Sequence, residues 1–116
     1  MLRAGVISSG IMCLSALLMH GQEAGAGAAF SAQRGLLERY CVTCHNQKLK
    51  TGGLTLDALD LGHVGEHAEI WEKVVRKLRA GMMPPQGLPR PNPQEYEGLT
   101  SAIENELDRA ARAKPR

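Results

Sequence analysis

Two thiols and an imidazole within five residues, Cys41-Val42-Thr43-Cys44-His45, constrain this chain more than any other feature. The pattern is C-x-x-C-H, the attachment motif of a c-type haem. Thiols three positions apart can each add to one vinyl group of the macrocycle. The histidine that follows is then held against the iron as its proximal ligand. Cys41, Cys44 and His45 are therefore predicted to bind one covalent haem c, with His45 on the iron. Two other chemistries use the same residue types. Structural zinc takes four ligands, and only His45, His63 or His67 stand ready to join the thiolates. A redox dithiol of the thioredoxin kind sits among strands, and no strand pattern is visible.

The start of the chain reads as an address and not as part of a fold. Arg3 gives a basic start, Ala4 to Met19 is apolar and almost uncharged, and small residues fill Gly21 to Ala29. That is the order of a secretory signal peptide, with cleavage after Ala26, Ala28 or Ala29. Residues 1–29 are therefore assigned to a leader, and the protein to the periplasm or the exterior. The apolar run is short for a membrane span, which needs about 20 residues, so a membrane anchor follows only if the leader stays uncleaved. Cys13 lies inside the apolar run and lacks the small residue that a lipoprotein signal places before it. What remains is roughly 87 residues with both cysteines in one motif. Its charge stays near +2, too mild to argue for nucleic acid. Phe30, Tyr40, Trp71 and Tyr96 are its only aromatics. A domain this small is marginal without help, and a bound macrocycle would complete its core.

Periodicity predicts an all-α domain over residues 30–109 and a basic tail over 110–116. A first helix is expected from about Ser31 to Cys44, with Leu36, Leu37 and Tyr40 on one side. Asn46 to Leu56, with Gly52 and Gly53, reads as a loop. Asp57 to Leu61 predicts a short turn of helix, broken by Gly62 to Gly65. A stronger helix is expected over Glu66 to Ala80, striped by Ile70, Trp71, Val74 and Leu78. Arg76, Lys77 and Arg79 lie toward the negative end of its dipole, and Gly81 stands at its stop. Four of the six prolines fall in Met82 to Pro91, a stiff irregular loop. The last helix starts with Asn92 as cap, Pro93 in the first turn and Glu95 reaching back. Tyr96, Leu99, Ile103 and Leu107 then share a face, and the tail from Ala110 is expected to fray.

An electron-transfer haem needs a second axial ligand, and downstream of His45 the candidates are His63, His67, Met82 and Met83. The pair Pro84-Pro85 pushes the residue before it into an extended conformation and restricts the loop, which favours Met83; Met82 points to the opposite side of the same segment. Histidine–methionine ligation raises the reduction potential and fills the sixth position, which suits outer-sphere electron transfer and argues against an enzyme's reaction centre.

Taken together, these residues resemble a class I cytochrome c. Lys50-Thr51-Gly52-Gly53-Leu54-x-Leu56-Asp57 and Trp71-x-x-Val74-x-x-Lys77-Leu78-Arg79-x-Gly81-x-Met83-Pro84-Pro85 are similar to the planctomycete-type cytochrome c domain, over about Leu36 to Pro91. The resemblance implies a small class I cytochrome c fold of three helices around one covalent haem. It also implies that Cys41 and Cys44 hold the porphyrin and that His45 and Met83 are the iron ligands. One departure stands out. Many class I cytochromes carry a proline about a dozen residues after the haem histidine, whose carbonyl orients the imidazole; here no proline occurs between His45 and Pro84. A metal-bound histidine still wants such an acceptor, and the carbonyls from Lys50 to Gly53 are the place to look.

The function expected is a periplasmic or secreted monohaem carrier passing single electrons between redox partner proteins, with no small-molecule substrate and no catalytic residues. The alternative is an electron-relay module of a larger secreted oxidoreductase, of which this chain is a short form. A haem sensor or peroxidase would need an open sixth position. Trp71 is expected in the core, with its indole N–H able to meet a haem propionate. Arg76, Lys77 and Arg79 form a solvated face able to steer an acidic partner. His63-Val64-Gly65-Glu66-His67 matches H-x-x-E-H of inverted zinc peptidases, but Gly65 interrupts the helix that chemistry needs, and the histidines read as solvated.

Overall fold

A computed structural model describes residues 30–115; the expected leader, Cys13 and Arg116 lie outside the described residues. Among the described residues there are helices and turns and no strand, so the fold is all-α, as the periodicity predicts. Three helices carry it: α1 (residues 30–37), α2 (Ala68–Arg79) and α3 (Pro93–Ala113). None of the described helices is long and apolar enough to cross a membrane.

The first helix does not stay α-helical to Cys44. At Glu38–Val42 it widens into a single π-turn that contains Cys41, a feature frequent at functional sites. Residue spacing alone does not distinguish such a turn from an ordinary one, because both present apolar residues at similar intervals. The glycines at 62 and 65 also fail to break the chain as expected. Leu61–His67 runs through them as tight turns kinked at His63, with the Asp60 side chain accepting from Gly62 N. This delays α2, which starts at Ala68 and not Glu66, and buries Leu61 and Val64.

α3 begins as read. Asn92 Oδ1 accepts from Glu95 N at 2.8 Å, and Glu95 Oε2 accepts from Asn92 N at 3.1 Å, a reciprocal cap on one turn. Its end differs from the expectation. The helix continues to Ala113, past the point where the tail was expected to fray. The reason is packing. α3 lies against both α2 and the Leu61–His67 turns, and Gly65 approaches Ala110 so closely that a Cβ on Gly65 would sit 2.6 Å from the Ala110 methyl.

The core is Leu37 of α1, Leu56, Leu59, Leu61 and Val64 of the connecting turns, Trp71 and Leu78 of α2, and Leu99 and Ile103 of α3. Arg34 fastens α1 to those turns through the carbonyl of Leu59 at 2.8 Å. Arg79 ties α2 to α3 through Glu97 and Glu104 at 2.7 and 2.6 Å. The stripe of α2 therefore faces two ways. Trp71 and Leu78 are buried, whereas Ile70 and Val74 stay half-buried and turn toward a cavity.

Candidate cofactor site

The motif folds on its own carbonyl. Cys41 O accepts from Cys44 N at 3.1 Å and from His45 N at 2.9 Å, which closes the five residues into one turn at the end of the π-turn. Asn46 then acts as a local clasp: its Nδ2 donates to Val42 O at 2.7 Å, and its Oδ1 accepts from Lys48 N and Leu49 N. This is the side-chain–backbone turn that asparagine favours. Leu56 N donates to His45 O at 2.9 Å, and Asp57 Oδ2 accepts from Gln47 N, so the loop from 46 to 57 returns to where it began. The sequence offers Asp57 as the end of the 50–57 signature, with no role, and does not point to Asn46. An asparagine directly after the histidine was the available signal for the latter.

His45 Nδ1 lies 2.8 Å from the carbonyl of Thr51. The acceptor expected between Lys50 and Gly53 is therefore Thr51. Donation from Nδ1 to that oxygen leaves Nε2 as the lone-pair nitrogen, the tautomer a metal ligand needs. The carbonyl is aimed by a run of left-handed backbone: Lys50, Gly52 and Gly53 have φ of 48°, 64° and 75°. Glycine adopts that region without steric cost. A Cβ at Gly52 or Gly53 would meet nothing within 4 Å, so the requirement there is conformation, and the space beside them is open.

A cavity of about 370 Å³ opens on this turn. Its floor carries Cys41 and His45; Gly52 to Leu56 form one wall, and Ile70, Val74 and Leu78 of α2 another. Met83 lines it from the loop after α2, and Lys73 and Lys77 stand at its polar margin. The structure thus gathers Cys41, His45 and Met83. Cys44 is exposed and is not among the lining residues. Met82 is turned away, 53 % exposed, with its sulfur 3.9 Å from Lys77 Nζ. His63 and His67 are exposed outside the cavity, and His63 Nδ1 is 2.9 Å from Asp60 Oδ2. The Met83–Pro84 bond that shapes the loop is cis.

The residues present fit a haem. The cavity has the volume range and mostly apolar lining of a small-cofactor site, and its donor set is one thiol, one oriented imidazole and one thioether. Trp71, expected in the core, is fully buried with no partner for its indole N–H among the described residues, but it does not line this cavity. The rival chemistries find less. Burial pushes the Cys41 thiol up to about 11, opposite to the activated thiolate of a redox dithiol. Among the described residues no three His, Cys, Asp or Glu side chains converge as a metal site.

No curated protein and no solved structure matches the chain. A family does. The family model described as planctomycete cytochrome C matches residues 41–87, from the first thiol of the motif to just past Met83, and over that stretch the chain is similar to that family.

Proposed function

We propose that this protein is a periplasmic or secreted monohaem electron carrier whose haem iron would take His45 and Met83 as its ligands. A cytochrome c domain implies a covalently bound haem c and electron transfer; the location follows from the leader pattern of residues 1–29, and the ligand assignment is supported by one observation. A single apolar cavity collects Cys41, His45 and Met83 and leaves Met82, His63 and His67 outside.

Haem c, when bound, supplies one-electron redox chemistry, and the chain's residues set its terms. Cys41 and Cys44 would form the thioether tethers. His45 donates from Nδ1 to Thr51 O, which fixes the ring and keeps Nε2 available. Met83 contributes a soft sulfur that favours the reduced metal. Leu54, Leu56, Ile70, Val74 and Leu78 keep water from the cavity wall. Lys73 and Lys77 at the margin attract an acidic redox partner, an effect that salt suppresses.

The test is spectroscopic. Matured protein should stain for haem after denaturation, and Cys44→Ala should give much weaker covalent staining. Met83→Ala should abolish the absorption band of the iron–sulfur bond, while Met82→Ala should leave it. Colourless matured protein, or loss of the band only in Met82→Ala, would overturn the reading.

A further inference from the structure

The segment that carries Met83 is held by side chains from beyond it, and two of them act together. Tyr96, in the first turns of α3, places its hydroxyl 2.7 Å from the carbonyl of Met83 and 2.8 Å from that of Leu78, at the end of α2. Arg90 Nη2 donates to the carbonyl of Gly81 at 2.7 Å and to that of Pro84. The guanidinium also lies over the Tyr96 ring, 5.9 Å from its centroid. Four carbonyls, on residues 78, 81, 83 and 84, thus converge on two side chains in mutual contact. Tyr96 is itself positioned by the reciprocal cap of Asn92 and Glu95, through Tyr96 N donating to Asn92 O at 2.9 Å.

We infer that Tyr96 and Arg90 form a clasp on the Met83 loop that decides how firmly the Met83 thioether would be held as an iron ligand. The inference rests on the histidine–methionine reading above and names the residues that hold its weaker half. His45 is anchored within its own loop by Thr51, whereas Met83 owes its place to groups 7 and 13 residues away in sequence. Neither Tyr96 nor Arg90 lines the cavity. They are positioning residues and act through the backbone on both sides of Met83. Arg90 brings a charged donor, the stronger kind of hydrogen bond, while the Tyr96 hydroxyl has a single proton for two acceptors.

The experiment uses the full-length, haem-loaded protein and imidazole as a competitor for the Met83 position, read from the loss of the iron–sulfur band well below each variant's melting temperature. Tyr96→Phe keeps the ring under Arg90 and removes only the hydroxyl, so apparent imidazole affinity should rise about 3- to 10-fold, the worth of one neutral hydrogen bond. Arg90→Met should raise it about 10-fold or more, because two carbonyls lose a charged donor. The same substitutions in a Met83→Ala background should have no effect, since nothing is left to displace. A merely structural role would lower the melting temperature and leave these affinities alone. Should parent protein and Met83→Ala bind imidazole equally well, the ligation reading itself fails. Should the parent resist imidazole and Met83→Ala accept it, while both clasp variants stay within about 2-fold of the parent, the ligation stands and the clasp is wrong.

Discussion

Replacing Gly65 by alanine tests whether the far end of α3 is packed or loose. Gly65 has no left-handed φ to protect, so the backbone accepts a side chain, and the reduced freedom of the unfolded chain should add about 0.4–1 kcal/mol of stability. Against this stands the methyl of Ala110, 2.6 Å from the new carbon, with the Ala110 Cα at 3.8 Å. Carbon atoms rest at about 3.5–4.0 Å, so something must move by about 1 Å. The obstacle is bonded directly to helix backbone and cannot rotate aside. Overpacking of this kind costs about 1–3 kcal/mol. The balance is a net loss near 1 kcal/mol, or a melting temperature lower by about 4–8 °C for a domain of this size. Ala110→Gly alone should cost about 0.8–1 kcal/mol through helix propensity. Combined with Gly65→Ala it removes the obstacle, so the double variant should be more stable than the sum of the singles by about 1–3 kcal/mol. Chemical denaturation of the four haem-loaded proteins measures the cycle. If residues beyond Ala110 fray, Gly65→Ala will equal or exceed the parent and the coupling will vanish, which refutes the packing described for this end.

Two smaller perturbations follow from the surface and the caps. Asn92→Ala removes one half of the reciprocal cap on α3 and should lower stability by about 0.5–2 kcal/mol, while Asn92→Asp should stay near the parent; equal melting temperatures for all three would contradict it. At the Asp60–His63 pair, the backbone N–H of Gly62 and then the imidazole hold the Asp60 carboxyl below its ordinary value, and Asp60 holds His63 above its own. The His63 share of stability is whole below its unfolded value, about 6.5, and is lost as pH rises through the raised folded value. The Asp60 share is whole above about 3.9 and is lost as pH falls through its lowered one. The pair therefore contributes most between those two limits. Titration of the His63 ring by NMR should move downward in Asp60→Asn, and an unmoved ring would show the contact to be empty.

Much of this protein is written locally. The thiols and imidazole of the motif are neighbours in the chain, and a single turn closed on Cys41 O suffices to gather them. Asn92, Pro93 and Glu95 specify a helix start within four residues. The stripes of α2 and α3 report burial directly, because a helix turns its apolar residues to one side whatever covers them. Other features carried no decisive local mark. The π-turn around Cys41 keeps nearly the same apolar spacing as an α-turn. Met82 and Met83 are the same residue type on adjacent positions; Pro84-Pro85 favours Met83 without excluding Met82, and it is Met83 that lines the cavity. Gly62 and Gly65 read as breakers, yet Gly65 is needed for the contact with Ala110, 45 residues away.

By itself, then, the amino-acid order determined the all-α class, the cofactor motif and the start of α3, since each depends on residues within a few positions of one another. Tertiary structure alone decided that Tyr96 and Arg90 grip the Met83 loop and that Gly65 meets Ala110. Those outcomes turn on which surfaces meet once α3 folds back across α2, and contacts between distant segments leave no periodic trace in the chain.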